Sequence, residues 1–203
     1  MLLHARGVSL GAMEFSSTET GKPFITTQGI DPPIAFNVSH DNGLVVMASS
    51  TNSNIGIDVM KVSLPGRDTF ISFVEAMGDQ LTAHERQLVA SALNQAQALE
   101  HFFWMWTAKE AYTKALGIGL GFNFRRVEFD PVNNILLVDG MVPKGWRFSK
   151  FVVIQGDERY QGVVAESVGG EETSILPETG PHEWLVVQKA SNFIRDAVQK
   201  FEC

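Results

Sequence analysis

Trp104-Met-Trp-Thr-Ala-Lys-Glu-Ala-Tyr-Thr-Lys-Ala-Leu-Gly117 reads as the closing turns of a long helix. Ala, Met, Lys, Glu and Leu favour helix, and Gly117 can take the left-handed conformation that ends one. Glu110 and Lys114 are one turn apart on one face, with Trp106 a turn further back. Trp104, Ala108, Ala111 and Ala115 add apolar surface on neighbouring faces. With Phe102 and Phe103 upstream, this end is apolar almost all round, which marks a core helix from about Ala96 to Leu116. Taken alone, Glu110 and Lys114 read as an exposed ion pair worth ~0.3–0.5 kcal/mol, or as a metal-ligating carboxylate followed by a cation. The helix itself does not choose between them.

The chain has 203 residues, 44% hydrophobic and 19% charged, which suits a globular protein of one medium domain or two small lobes. No apolar run is long enough to span a bilayer, and Met1 to Arg6 lack the order of a secretory signal. The single cysteine, Cys203, leaves no internal disulfide, which fits a cytoplasmic location. A net charge of -7 argues against non-specific nucleic-acid binding, which needs a basic surface.

Outward from the helix, the strand Ile55-Gly-Ile-Asp-Val-Met-Lys61 carries a carboxylate in apolar company. An unpaired buried Asp58 would cost several kcal/mol, so it needs a partner: a hydrogen-bonded structural role or a metal. Gly56 beside it lets another group approach the backbone. Earlier, Ile34 to His40 alternates, with Ile34, Phe36 and Val38 on one side and Ala35, Asn37 and Ser39 on the other, a half-buried strand with a polar face. Asp41-Asn-Gly43 turns it into a second strand, Gly43 to Ser49. His40 closes the first strand, as a surface or capping residue or as a site residue. Lys22, in Gly21-Lys-Pro23, is either a solvated loop lysine or an anion contact at a rigid turn.

Asp68 is the expected N-cap of a short helix over 69–77, and Thr82-Ala-His-Glu85 a capping box opening the next. Gly117 to Gly121 is glycine-rich but follows a helix, so it is not a phosphate-cradling loop of the strand–loop–helix kind. Short strands are expected at Arg126–Asp130, Ile135–Asp139, Trp146–Phe148, Phe151–Gln155 and Gly162–Ser167, as an antiparallel meander. Residues 169–181 read as a linker, and His182 to Phe201 as a final helix.

Gly21-Lys-Pro23, Phe36-Asn-Val-Ser-His40, Gly56-Ile-Asp58 and Trp106-Thr-Ala-Lys-Glu-Ala-Tyr-Thr-Lys114, in this order and spacing, resemble the 4′-phosphopantetheinyl transferases of the larger, monomeric type. Pro65-Gly-Arg67 and Gly117 to Phe122 look most like the eukaryotic branch that activates aminoadipate-semialdehyde dehydrogenase, and so serves lysine biosynthesis. The resemblance covers roughly residues 21 to 130. It implies an α+β fold of two pseudo-symmetric lobes with the first truncated: residues 1–55 a remnant of the N-terminal lobe, 56–168 the C-terminal catalytic lobe, 169–203 a linker and C-terminal helix.

The same resemblance implies a holo-[acyl-carrier-protein] synthase activity. The phosphopantetheine arm of coenzyme A passes to a serine of an acyl or peptidyl carrier domain, leaving 3′,5′-ADP. The carriers implied are those of fatty acid synthase, aminoadipate-semialdehyde dehydrogenase, and polyketide or nonribosomal peptide synthases. By resemblance Asp58 and Glu110 hold Mg2+, which prefers carboxylate, phosphate and water oxygens. Glu110 also serves, directly or through water, as the base on the carrier serine, and Lys114 steadies or protonates the leaving phosphate. Lys22, Ser39, His40 and Lys109 bind coenzyme A.

Two departures stand out. Met60 occupies the place of a second acid found in many members, and a thioether is a soft ligand unsuited to magnesium. Only 20 residues precede Gly21, where family members carry several tens more. That shortening supports an alternative, a truncated and inactive member. An acidic α+β interaction module with no catalysis is a third reading, which leaves Asp58 unexplained.

Overall fold

The structure is a computed structural model that describes residues 2–51, 53–66, 69–119, 121–178 and 183–201. Asp68 as an N-cap, Arg67, Leu120, residues 179–181 of the expected linker, the helix start at His182, and Cys203 lie outside the described residues. In chain order the elements are β1 (Phe15–Ser17), β2 (Pro23–Ile25), β3 (Ile34–Asp41), β4 (Leu44–Thr51), β5 (Ile55–Lys61), α1 (Phe70–Met77), α2 (Ala83–Ala90) and α3 (Gln95–Leu116). They continue as β6 (Val127–Asp130), β7 (Ile135–Val138), β8 (Trp146–Gln155), β9 (Glu158–Ser167), β10 (Ser174–Leu176) and α4 (Ala190–Phe201). The fold is α+β, as expected.

A four-stranded sheet in the order β10-β8-β9-β5 is the frame. β8 is one ten-residue strand where two short ones were expected, because Ser149 and Lys150 continue the pairing with Val164 and Val163 of β9. The segment expected as a linker adds β10, which pairs parallel with β8, so the sheet is not a pure antiparallel meander. The last helix begins at Ala190, later than expected.

α3 lies on one face of this sheet. Trp104, Ala108, Ala111, Tyr112 and Ala115 pack against Phe148, Val163, Ala165 and the β6–β7 hairpin. Its other side packs with Phe73, Leu81 and Val89 of the α1–α2 region, through Leu99, Phe102 and Phe103. Apolar residues on both sides explain why α3 is a core helix. Asn94 caps its start by accepting from the Gln97 amide, and Gly117 ends it at φ 69°, in the left-handed region. α1 is capped by Thr69 and Ser72, and Thr82 with Glu85 forms the capping box of α2.

The β3–β4 hairpin sits beside β5, with Ala35, Leu44, Val46 and Ala48 against Ile55, Ile57 and Val59. Here the alternation of β3 runs opposite to the usual sense. Asn37 and Ser39 are buried while Val38 is 40% exposed. The reason is the open edge of β5. Asn37 Oδ1 accepts the Ile57 amide at 2.9 Å, and Asp41 Oδ2 accepts the Lys61 amide at 2.7 Å. Side chains thus satisfy edge amides that no neighbouring strand pairs, so the polar face of β3 must point inward.

Candidate active site

The site forms where α3 crosses β5. A Cβ on Gly56 would lie 2.1 Å from the Ala111 carbonyl oxygen and 2.3 Å from the Ala115 amide nitrogen, so only glycine lets the helix come this close. Asp58, two residues on, faces the same side of the strand. The close crossing brings it onto Lys114, whose Nζ lies 2.6 Å from Asp58 Oδ1. Ser39 donates to the same oxygen at 2.9 Å and accepts from Lys114 at 3.1 Å. Three residues from β3, β5 and α3 thus close one hydrogen-bonded triangle. The Lys114 partner is Asp58 and not Glu110, so the ion pair expected within the helix does not form among the described residues.

Asp58 Oδ2 is buried with no hydrogen-bond partner. Glu110 and Asp58 both border a cavity of about 300 Å³, together with Ser39, His40, Met60 and Lys114. Burial pushes the Asp58 carboxyl above the usual carboxylate range, despite the opposing pull of Lys114 and Ser39. Burial, and then the negative charge of Asp58, push Glu110 up as well. Two carboxylates held above the ordinary range at one cavity, one with an orphaned oxygen, make a site that gains from a divalent cation. Among the described residues there is no cluster of three or more His, Cys, Asp or Glu that could hold a metal. Two carboxylates are within what magnesium usually takes from protein, the remaining positions going to waters and phosphate oxygens. The donor set therefore fits magnesium, while Met60, which also lines the cavity, offers only a soft thioether that magnesium does not favour.

A larger cavity of about 750 Å³ adjoins the first, sharing Trp106, Glu110 and Lys114. Its apolar wall is Trp106, Phe122 and Phe124, with the Trp106 and Phe124 rings edge to face at 5.3 Å. Thr113, Lys22 and Arg125 bring polar groups to it.

The remaining expected site residues fall out unevenly. His40 is exposed and borders the smaller cavity. Ser39 is buried and committed to Asp58 and Lys114. Lys22 lines the larger cavity. Its Nζ donates to the Ile55 carbonyl at 3.1 Å and to the Ala115 carbonyl at 2.8 Å, and burial pushes its pKa down.

Lys109 is a correction. It was expected to contact phosphate, but it is 0% exposed and points away from the cavities. Its Nζ lies 2.6 Å from Glu85 Oε2 and 3.0 Å from the Gln80 carbonyl. Glu85 also accepts the Thr82 and Phe129 amides, so one buried carboxylate joins α2, β6 and α3. Adjacent helix positions point about 100° apart, so Lys109 and Glu110 cannot both face the cleft. Sequence reasoning assigned Glu85 its capping role only, and Asn37 no role. The capping box gave no signal of a lysine 24 residues away, and Asn37 was legible only as one residue on a polar face.

Comparison with known proteins bears on this arrangement. The model of the 4′-phosphopantetheinyl transferase superfamily (ACPS) matches residues 54–164, the segment that holds Asp58, Glu110 and Lys114. The 4′-phosphopantetheinyl transferase pptA of Paxillus involutus is 44% identical over 98% of this chain and 79% of its own length. The L-aminoadipate-semialdehyde dehydrogenase-phosphopantetheinyl transferase of Homo sapiens is 34% identical over 66% of this chain and 47% of its own length. The chain thus spans about half the length of this human relative. A holo-(acyl-carrier-protein) synthase from Bacillus anthracis, solved in complex with CoA (3′,5′-ADP), aligns with 56% of this chain and 96% of its own at 24% identity. Its TM-score is 0.39, too loose a likeness to carry an argument. On the family match and the Paxillus relative, the chain belongs to the 4′-phosphopantetheinyl transferase superfamily.

Proposed function

We propose that this chain transfers the 4′-phosphopantetheine arm of coenzyme A to a serine of a carrier domain, with Mg2+ held by Asp58 and Glu110. The observation that carries the reading is the meeting of Asp58, Glu110 and Lys114 at one cavity, with Asp58 Oδ2 unpartnered inside the family segment. Magnesium bound there supplies positive charge against the pyrophosphate oxygens as negative charge builds on them.

The chain's own residues do the rest. The carrier serine oxygen forms a new bond to the phosphorus that bears the pantetheine arm. The bond from that phosphorus to the bridging oxygen breaks, and 3′,5′-ADP leaves. Glu110 takes the serine proton, directly or through a water. Lys114, fixed on Asp58 and Ser39, presents its ammonium to the departing phosphate and steadies or protonates it. Ser39 keeps Asp58 Oδ1 turned to Lys114, which leaves Oδ2 for the cation. His40, exposed at the cavity rim, helps hold the nucleotide end in this reading.

The curated relatives point to the carrier domain of aminoadipate-semialdehyde dehydrogenase, and so to lysine biosynthesis, as the first substrate to try. Carriers of fatty acid, polyketide and nonribosomal peptide synthases follow by the same chemistry. A fluorescent coenzyme A conjugate offered with a panel of these apo domains tests the reading in a gel. Labelling of at least one carrier, abolished by a chelator and restored by Mg2+, is expected. No labelling of any, with the pptA relative active alongside, overturns it.

A further inference from the structure

Lys22 stands at the junction of three elements. It lies in the turn between β1 and β2, and its Nζ reaches the carbonyl of Ile55, the first residue of β5, and that of Ala115, in the last turn of α3. The last carbonyls of a helix have no partner within it, and a cation there also meets the negative end of the helix dipole. Thr20, from the same turn, donates to the Gly117 carbonyl at 2.7 Å. Gly117 in turn donates to the carbonyls of Thr113 and Lys114. The β1–β2 turn is thus a cap over the end of α3, anchored by two side chains two residues apart.

This cap sits beside the reacting groups. Ala115 follows Lys114, and Ile55 precedes Asp58 by three residues. Between them Gly56 packs directly on the α3 backbone, with no side chain to lock the register of helix against strand. Lys22 supplies that lock by bonding both elements with one ammonium.

We propose that Lys22 is a positioning residue: it fixes the end of α3 against β5 and through that contact keeps Lys114 on Asp58. The catalytic part rests on the transferase reading above. It differs from a direct contact to the 3′-phosphate of coenzyme A, and the two make opposite demands on substrate choice.

The test compares Lys22→Met and Lys22→Arg with the unaltered protein, using coenzyme A and 3′-dephospho-coenzyme A. Lys22→Met lowers kcat by about 10- to 100-fold for both substrates, with KM for coenzyme A changed by less than about twofold. The preference between the two substrates is unchanged, and Lys22→Arg, which keeps a cation with several donors, recovers most of the rate. A raised KM for coenzyme A with kcat intact, together with a lost preference over the 3′-dephospho form, overturns the proposal.

Hydrogen exchange of the Gly117 and Ile118 amides, without any ligand, separates the cap from the chemistry. Faster exchange in Lys22→Met supports the cap, and unchanged exchange contradicts it. If the unaltered protein transfers nothing, the transferase reading falls, and exchange alone decides the cap. Should Lys22→Met fail to fold, Lys22→Gln, which keeps an N–H donor, carries both comparisons.

Discussion

Asp58 has one oxygen held by Lys114 and Ser39 and another with no partner, in a pocket that also contains Glu110. An orphaned carboxylate oxygen in a buried place is costly unless something binds it. Asp58→Asn and Glu110→Gln keep the shape and remove the charge. Each is expected to lower the transfer rate by about 100-fold or more, as loss of a major electrostatic contact does in other enzymes. Retained activity in both variants would contradict the metal assignment.

Both carboxyls have pKa values raised above the ordinary range, so protons compete with the cation sooner than at a free carboxylate. Calorimetric titration with Mg2+ should show affinity falling as pH is lowered towards those raised values. Affinity independent of pH would count against the pair as ligands. His84 offers a separate check on the electrostatics. Its Nε2 lies 2.9 Å from Asp130 Oδ2, and that hydrogen bond raises its pKa above 6.5. A raised histidine pKa gives stability that is full below 6.5 and lost as pH rises through the folded value. The melting temperature should therefore drop more between pH 6 and pH 8 in the unaltered protein than in His84→Gln. Because His84 is nearly half exposed, the difference will be small.

At the scale of elements, α3 is fixed by lysines from two directions. Lys22 holds its end, and Lys109 holds its middle through a fully buried pair with Glu85. Removing one member of such a pair strands the other. Lys109→Met is expected to cost about 3–5 kcal/mol, and the double change Lys109→Met with Glu85→Leu less than the sum of the two single changes. Chemical denaturation measures both. Gly56→Ala puts a methyl group where α3 already touches the strand, so it should destabilise by about 1–3 kcal/mol and also slow transfer by pushing Lys114 off Asp58.

These elements also show what sequence could disclose. The helical period, the glycine stop at Gly117 and the capping box at Thr82 are local signals, and each is found in place. Asp58 in an apolar strand predicted a partner, and Lys114 is one. The inward polar face of β3 was not legible, because it depends on which strand of the sheet has a free edge. Lys109 read as a site residue because it adjoins Glu110, and only the position of Glu85 in space corrects that. β10 was missed because three residues in a Gly- and Glu-rich stretch carry no period of their own.

Across the whole molecule, one long helix lies between a sheet and a pair of short helices, and Asp58, Glu110 and Lys114 gather at one crossing. That crossing lies within the segment matched by the superfamily, which holds Asp58, Glu110 and Lys114. The alternative of an inactive chain draws no support from the site. The measurement that bears most directly on the account is the intact mass of an apo carrier domain after incubation with this protein, coenzyme A and Mg2+. A gain of one phosphopantetheine group, absent without Mg2+ and absent with Asp58→Asn, is the predicted result. An unchanged carrier mass, while the Paxillus relative modifies the same carrier in parallel, would contradict it.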